Sequence, residues 1–100
     1  MDALLSRANG LKAVHILISG HVQGVGFRWF AEKRASELAV AGYVRNLPEG
    51  AVEVLAQADE QTLESFCQEL REGPRLAQVE ELSMRTVPVD LGLQGFGVRY

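Results

Sequence analysis

The sequence predicts a single α+β domain, an antiparallel sheet carrying two helices on one face. Two long stretches, Lys12–Ser19 and Ala51–Ala58, alternate apolar and polar residues with the two-residue period of a half-buried strand. Two others, Phe27 to Ala39 and Asp59 to Gly73, set apolar residues at helical spacing. The length of 100 residues allows one small domain with one core, and 47% hydrophobic against 23% charged residues marks a globular chain.

In the first strand, Val14, Ile16 and Ile18 point one way, and His15, Leu17 and Ser19 the other. His15 falls on the weaker face and is expected to be exposed. The first helix gathers Phe27, Phe30, Ala31, Ala35 and Leu38 into a stripe. Glu32, Lys33, Ser36 and Glu37 lie opposite, and Arg34 runs its stem along the rim. Gly42 releases the chain into a second strand, Tyr43 to Asn46. The turn Leu47–Gly50 then folds it back into the third, where Val52, Val54 and Ala56 share a side. Asn46 stands at the mouth of that hairpin.

Asp59 is placed to cap the second helix, whose buried stripe is Leu63, Phe66, Cys67 and Leu70 and which Gly73-Pro74 ends. Cys67 reads as a small core residue rather than a nucleophile. Val79 to Val87 suggests a fourth strand, with Leu82 and Met84 on one face. After the glycine-broken connection Leu91–Gly95, a short last strand sets Phe96, Val98 and Tyr100 on one side. The order is βαββαβ plus a terminal strand, the split βαβ, ferredoxin-like arrangement.

The stretch Gly20-His21-Val22-Gln23-Gly24-Val25-Gly26-Phe27-Arg28 joins the first strand to the first helix. Glycines at such a junction let backbone N–H groups turn inward, and the helix start adds unpaired donors and its positive dipole end. Arg28, in the first helical turn, carries a planar fork of donors that suits a phosphate. A Walker loop is excluded, because Phe27 and Arg28 follow Gly26 where Lys and Ser or Thr are required. A dinucleotide fingerprint fails too, since Trp29 stands at its third glycine. Composition alone leaves two readings open, an anion cradle and a tight turn whose glycines relieve strain.

Residues Gly20 to Arg28 resemble the acylphosphatase signature G-x-V-Q-G-V-x-F-R. A second signature of that family is similar to Gly42-Tyr43-Val44-Arg45-Asn46 with Gly50-Ala51-Val52, and Phe96 to Tyr100 resembles its closing strand. The three matches lie in order along residues 12–100, which are expected to form the acylphosphatase-like domain after a poorly ordered extension, residues 1–11.

The resemblance implies a hydrolase of acid anhydrides, one that cleaves the carboxyl–phosphate bond of acyl phosphates without metal or cofactor. It implies Arg28 on the phosphoryl oxygens, Asn46 orienting the attacking water, and the backbone of His21, Val22, Gln23, Gly24, Val25 and Gly26 as the cradle. Inorganic phosphate is then the product and an inhibitor, and a monomer is expected. The terminal strand is further expected to bring the Tyr100 carboxylate to Arg28.

The rest of the inventory suits that chemistry. His15 and His21 lack metal-ligand spacing, no nucleophile–base pair is visible, and the acidic residues fall mainly on exposed helix faces or in turns. An acyl phosphate is a mixed anhydride whose leaving group is a weakly basic carboxylate, so its cleavage needs no general acid. Positioning and charge stabilisation carry the reaction.

Three rivals remain. The same cradle would serve a binding module without turnover. A single-strand RNA binder shares the topology, but Val14–Ile18 and Val52–Ala56 offer no stacking aromatics. A detached carbamoyl-phosphate-handling module of hydrogenase maturation is the third. The net charge of -3 argues against nucleic-acid or anionic-membrane partners. The lone Cys67, the short apolar run Ala3–Leu5 and the lack of any membrane-length segment fit a cytoplasmic protein.

Overall fold

A computed structural model describes residues 10–100. The expected poorly ordered extension therefore lies outside the described residues except for its last two, and Leu11 already begins a strand. The elements are β1 (Leu11–His21), α1 (Phe27–Leu38), β2 (Ala41–Asn46), β3 (Val52–Asp59), α2 (Glu60–Glu72), β4 (Gln78–Val87) and β5 (Phe96–Arg99). They form one sheet in the order β4-β1-β3-β2-β5.

The four long strands pair antiparallel, as the split βαβ arrangement requires. The terminal strand differs: β5 runs parallel to β2, so the complete sheet is mixed. Parallel neighbours need a long connection. Here the chain leaves β4 at one edge and joins β2 at the other, and Gln57 of β3 holds the crossing segment. Its amide nitrogen donates to the Asp90 carbonyl at 2.8 Å, and its amide oxygen accepts from the Asp90 N–H at 2.9 Å. This two-way bond explains why Gln57 is buried.

One face of the sheet meets both helices. Ile16, Ile18, Val44, Val52, Val54 and Ala56 pack against Phe27, Ala31 and Ala35 of α1 and Leu63, Phe66, Cys67 and Leu70 of α2. Fully burying each large apolar side chain contributes about 1.5–3 kcal/mol. Burial also pushes the Cys67 thiol pKa up, which suits an inert core residue.

The opposite face corrects one expectation, for His15, and adds a buried acid, Glu53. His15 is not simply exposed: its Nε2 lies 2.9 Å from Glu53 Oε2, and both side chains are largely covered. Glu53 is a buried acid in mid-sheet rather than on a helix face or in a turn, and Arg45 Nε donates to its other oxygen at 2.5 Å. Burial pushes the Glu53 carboxyl up, but hydrogen bonds from Arg45 and His15 outweigh it and hold the carboxyl below its ordinary value.

Candidate active site

Strand β1 ends the approach to the site. It continues to His21, which pairs with Gln78 of β4 after a register shift between Ser19 and Gly20. His21 thus belongs to the sheet, and the loop proper is Val22 to Gly26, shorter than the sequence suggests. Val22 is fully buried and Val25 packs against the core, so the apolar residues of the loop anchor it. Gly24 and Gly26 have φ of 74° and 79°, the left-handed region that a side chain disfavours. A Cβ at either would meet no atom within 4 Å, so backbone angle rather than crowding calls for glycine, and the space beside the loop is open.

Gly26 is also the N-cap of α1, and no side chain caps that helix. Its first bond runs from Phe30 N to Gly26 O at 3.0 Å, leaving the amides of Phe27, Arg28 and Trp29 without helical acceptors. The dipole of α1 adds partial positive charge there. Phe27 turns into the core and fixes the first turn, which carries Arg28 on the outer side.

Arg28 and Asn46 come from different elements, yet both line one open cleft of about 260 Å³ together with Val22, Gly24 and Gly26. A larger groove of about 400 Å³ lies at the other end of β1 and includes none of these residues. Arg28 makes no ion pair among the described residues, so its guanidinium donors are available. The guanidinium carbon stands 4.8 Å from the centre of the Tyr100 ring. The expected contact is therefore made by the ring rather than by the terminal carboxylate.

Gln23 does more than its sequence position indicates. Its amide nitrogen donates to the carbonyls of Leu47 and Ala51, at 2.8 and 2.9 Å. Those residues also close the hairpin turn, through Leu47 N to Ala51 O at 2.8 Å. One side chain thus ties the glycine loop to the turn beside Asn46 and fixes the spacing between cradle and amide. Sequence reasoning put Gln23 in the cradle by its backbone and missed this brace. It also missed Trp29, Glu32 and Val98, which complete the cleft walls. Glu32 follows Arg28 by four residues and Trp29 by three, the helical spacing that puts it beside both, and that was the available signal.

Among the described residues no group of three or more His, Cys, Asp and Glu side chains gathers as for a metal ion. No described helix is long and apolar enough to cross a membrane. The cleft is lined by the uncapped start of α1, by Arg28 with no ion-pair partner among the described residues, and by Asn46. This set can hold a tetrahedral oxyanion and a neighbouring water.

The acylphosphatase family model matches residues 14–98. An acylphosphatase of Thermus thermophilus is 49% identical over 82 residues, covering 82% of this chain and 92% of its own length. Among solved structures, an acylphosphatase from Coxiella burnetii superposes with a TM-score of 0.88 at 33% identity, over 93% of this chain and 97% of that one. A full-length HypF, solved in a phosphate- and nucleotide-bound form, matches with a TM-score of 0.80 at 29% identity. That match takes in 90% of this chain but only 12% of that one.

Proposed function

The chain belongs to the acylphosphatase family, and from that premise we propose how its residues divide the hydrolysis of an acyl phosphate. The amides of the loop and of the first turn of α1 receive the phosphoryl oxygens, and Arg28 closes over them. Asn46 holds a water in line with the bond to be broken. The water oxygen attacks phosphorus, and the bond from phosphorus to the bridging oxygen breaks. The carboxylate leaves with that bridging oxygen, and the proton from water passes to solvent or to the phosphate formed. Because the leaving carboxylate is a weak base, no group has to protonate it. The fixed donors meet the charge of the phosphoryl group without reorganising.

The observation that carries this reading is the convergence of Arg28, Asn46 and the two positive-φ glycines on one cleft, with Gln23 bracing loop to hairpin. Inorganic phosphate, the product, is proposed to compete for the same cradle. A cytoplasmic monomer acting on small acyl phosphates fits the net charge and the open, single-chain cleft. Purified protein assayed against acetyl, carbamoyl and benzoyl phosphate, with a phosphate monoester as control, tests the reading. Turnover of acyl phosphates, undiminished by exhaustive chelation and absent with the ester, is expected. A folded protein that binds phosphate but turns over none of them would be a binding module instead.

A further inference from the structure

Glu53 is a buried acid that takes no part in the bond changes proposed above. It lies with Arg45 and His15 on the helix-free face of the sheet, whereas Asn46 pairs with the core residue Val52 and lines the cleft. Its carboxylate therefore touches neither the phosphoryl group nor the water. Stability alone does not account for a charge at this place. A buried ion pair loses hydration that its attraction restores only in part, and a well-packed apolar side chain is often at least as stabilising. What the carboxylate adds is direction. Strand β3 lies between β1 and β2, and the two oxygens of Glu53 are divided between those neighbours. One accepts from Arg45 Nε on β2, and the other lies 2.9 Å from His15 Nε2 on β1. These are the strands that carry the site, since β1 runs into the glycine loop and β2 ends at Asn46.

Asn46 stands between two fastened rungs of the hairpin. On one side Leu47 meets Ala51, and Gln23 donates to both of their carbonyls. On the other, Arg45 stands opposite Glu53 and donates to it. Successive residues of a strand turn to opposite faces, so the twist of β2 at Arg45 sets the direction in which the Asn46 amide leaves the sheet. We infer that Glu53 is a positioning residue for the hydrolysis, which through Arg45 fixes the aim of the Asn46 amide. Its bond to His15 holds that strand end to the strand that carries the loop. The inference rests on the role proposed above for Asn46 and adds to it a residue that never meets the substrate. Glu53 contributes to rate and not to phosphate binding, since the loop and Arg28 hold the phosphoryl group.

A double-mutant cycle with Asn46 tests this, read in kcat for benzoyl phosphate, in the affinity for inorganic phosphate and in melting temperature. Glu53→Leu fills a similar space without the two bonds. It is expected to lower kcat about ten- to a hundredfold, the effect of a misaimed group, and to leave phosphate affinity within about twofold. In the Asn46→Ala background the same change should lower kcat by less than about twofold, because the amide it aims is gone. Its effect on melting temperature should be equal in both backgrounds, so a purely structural role would not reproduce the pattern. Asp59→Ala, destabilised away from the cleft, controls for lost stability and should keep its kcat. Should Glu53→Leu fail to fold, Arg45→Met carries the cycle. Arg45 is half-exposed, and its replacement leaves Glu53 paired with His15 while cutting the bond beside Asn46. The same loss, seen only where the Asn46 amide is present, is expected. An unchanged kcat in the folded variants, a loss of equal size with and without that amide, or a loss of phosphate affinity matching the loss of rate would overturn the inference and leave the hydrolase reading standing. If Asn46→Ala alone turns over normally, the proposed role of Asn46 fails and the inference falls with it.

Discussion

The two helices begin in opposite ways. At α2, Asp59 adopts an extended backbone and its carboxylate accepts from the Thr62 N–H at 2.8 Å, while its second oxygen accepts from the Thr62 hydroxyl at 2.9 Å. At α1, Gly26 stands in the cap position with a left-handed backbone and offers no side chain. Both helices face the same problem of first-turn amides without acceptors. One solves it with its own carboxylate, and the other leaves its first-turn amides without a side-chain cap. The difference separates a start that closes itself from one left open, where the proposed function puts the phosphoryl group. It is also visible in what surrounds them: Arg28 and Asn46 share a cleft with the uncapped start, whereas the groove beside Asp59 contains neither.

The largest effects should come from completing or breaking the open start. Arg28→Lys keeps a positive charge but loses the planar fork, so it is expected to fold normally and lose about a thousandfold or more in kcat/KM. Near-normal turnover by that variant would show that the fork is not needed. Asn46→Ala removes a partner of the water rather than of the phosphoryl group. Its kcat should fall roughly a hundred- to a thousandfold, with phosphate affinity close to the original. Loss of phosphate affinity in proportion to rate would move Asn46 into the cradle.

How much of this was legible in the sequence follows the same division. The core stripes were, because burial on one helix or sheet face imposes a period: Leu63, Phe66, Cys67 and Leu70 are all buried, as are Val14, Ile16 and Ile18. So was the Asp59 cap, a local contact between residues three apart. The order of strands was carried by the family signatures more than by the pattern. What escaped depends on residues far apart in the chain. The Glu53–His15–Arg45 cluster joins three strands, and alternation gave only the faces of its members, not their partners. The Gln23 brace spans 24 and 28 residues. The parallel direction of β5 depends on a crossing segment pinned by Gln57, which no local period encodes.

A smaller effect is read in stability. If phosphate fills the open start, it should raise the melting temperature, and at a hundredfold over its Kd the stabilisation would be roughly 2.7 kcal/mol. Chloride at equal ionic strength separates site binding from screening. An unchanged melting temperature at high phosphate would remove the anion from α1. Arg28→Lys should blunt the gain, since the lysine ammonium lacks the planar, paired donors of the guanidinium.

The smallest effect concerns the closed start, and it is the control for the rest. Asp59→Ala removes the carboxylate that caps α2 and should lower the melting temperature by about 4–8 °C, the usual consequence of losing an N-cap in a domain of this size. Activity per folded molecule should not change, because Asp59 contributes nothing to the cleft. Added phosphate should raise the melting temperature of the variant by the same increment as that of the unaltered protein, since the vacancy it fills is at the other helix. The deficit should also depend on pH in a defined direction. Hydrogen bonds from the backbone and side chain of Thr62 hold the Asp59 carboxyl below its ordinary value of 3.8. In the unfolded chain it titrates near that ordinary value, so the cap is fully stabilising above it and fades as pH falls through the lowered value of the folded state. Melting curves of the two proteins should therefore be well separated at neutral pH and converge in acid. Because the comparison is between two proteins that share Glu53 and every other acid, their titration cancels. A gap of constant size down to the lowest pH at which both remain folded would mean that Asp59 acts through its shape rather than its charge. In that event the opposition between a self-capped and an anion-capped helix would lose its electrostatic basis.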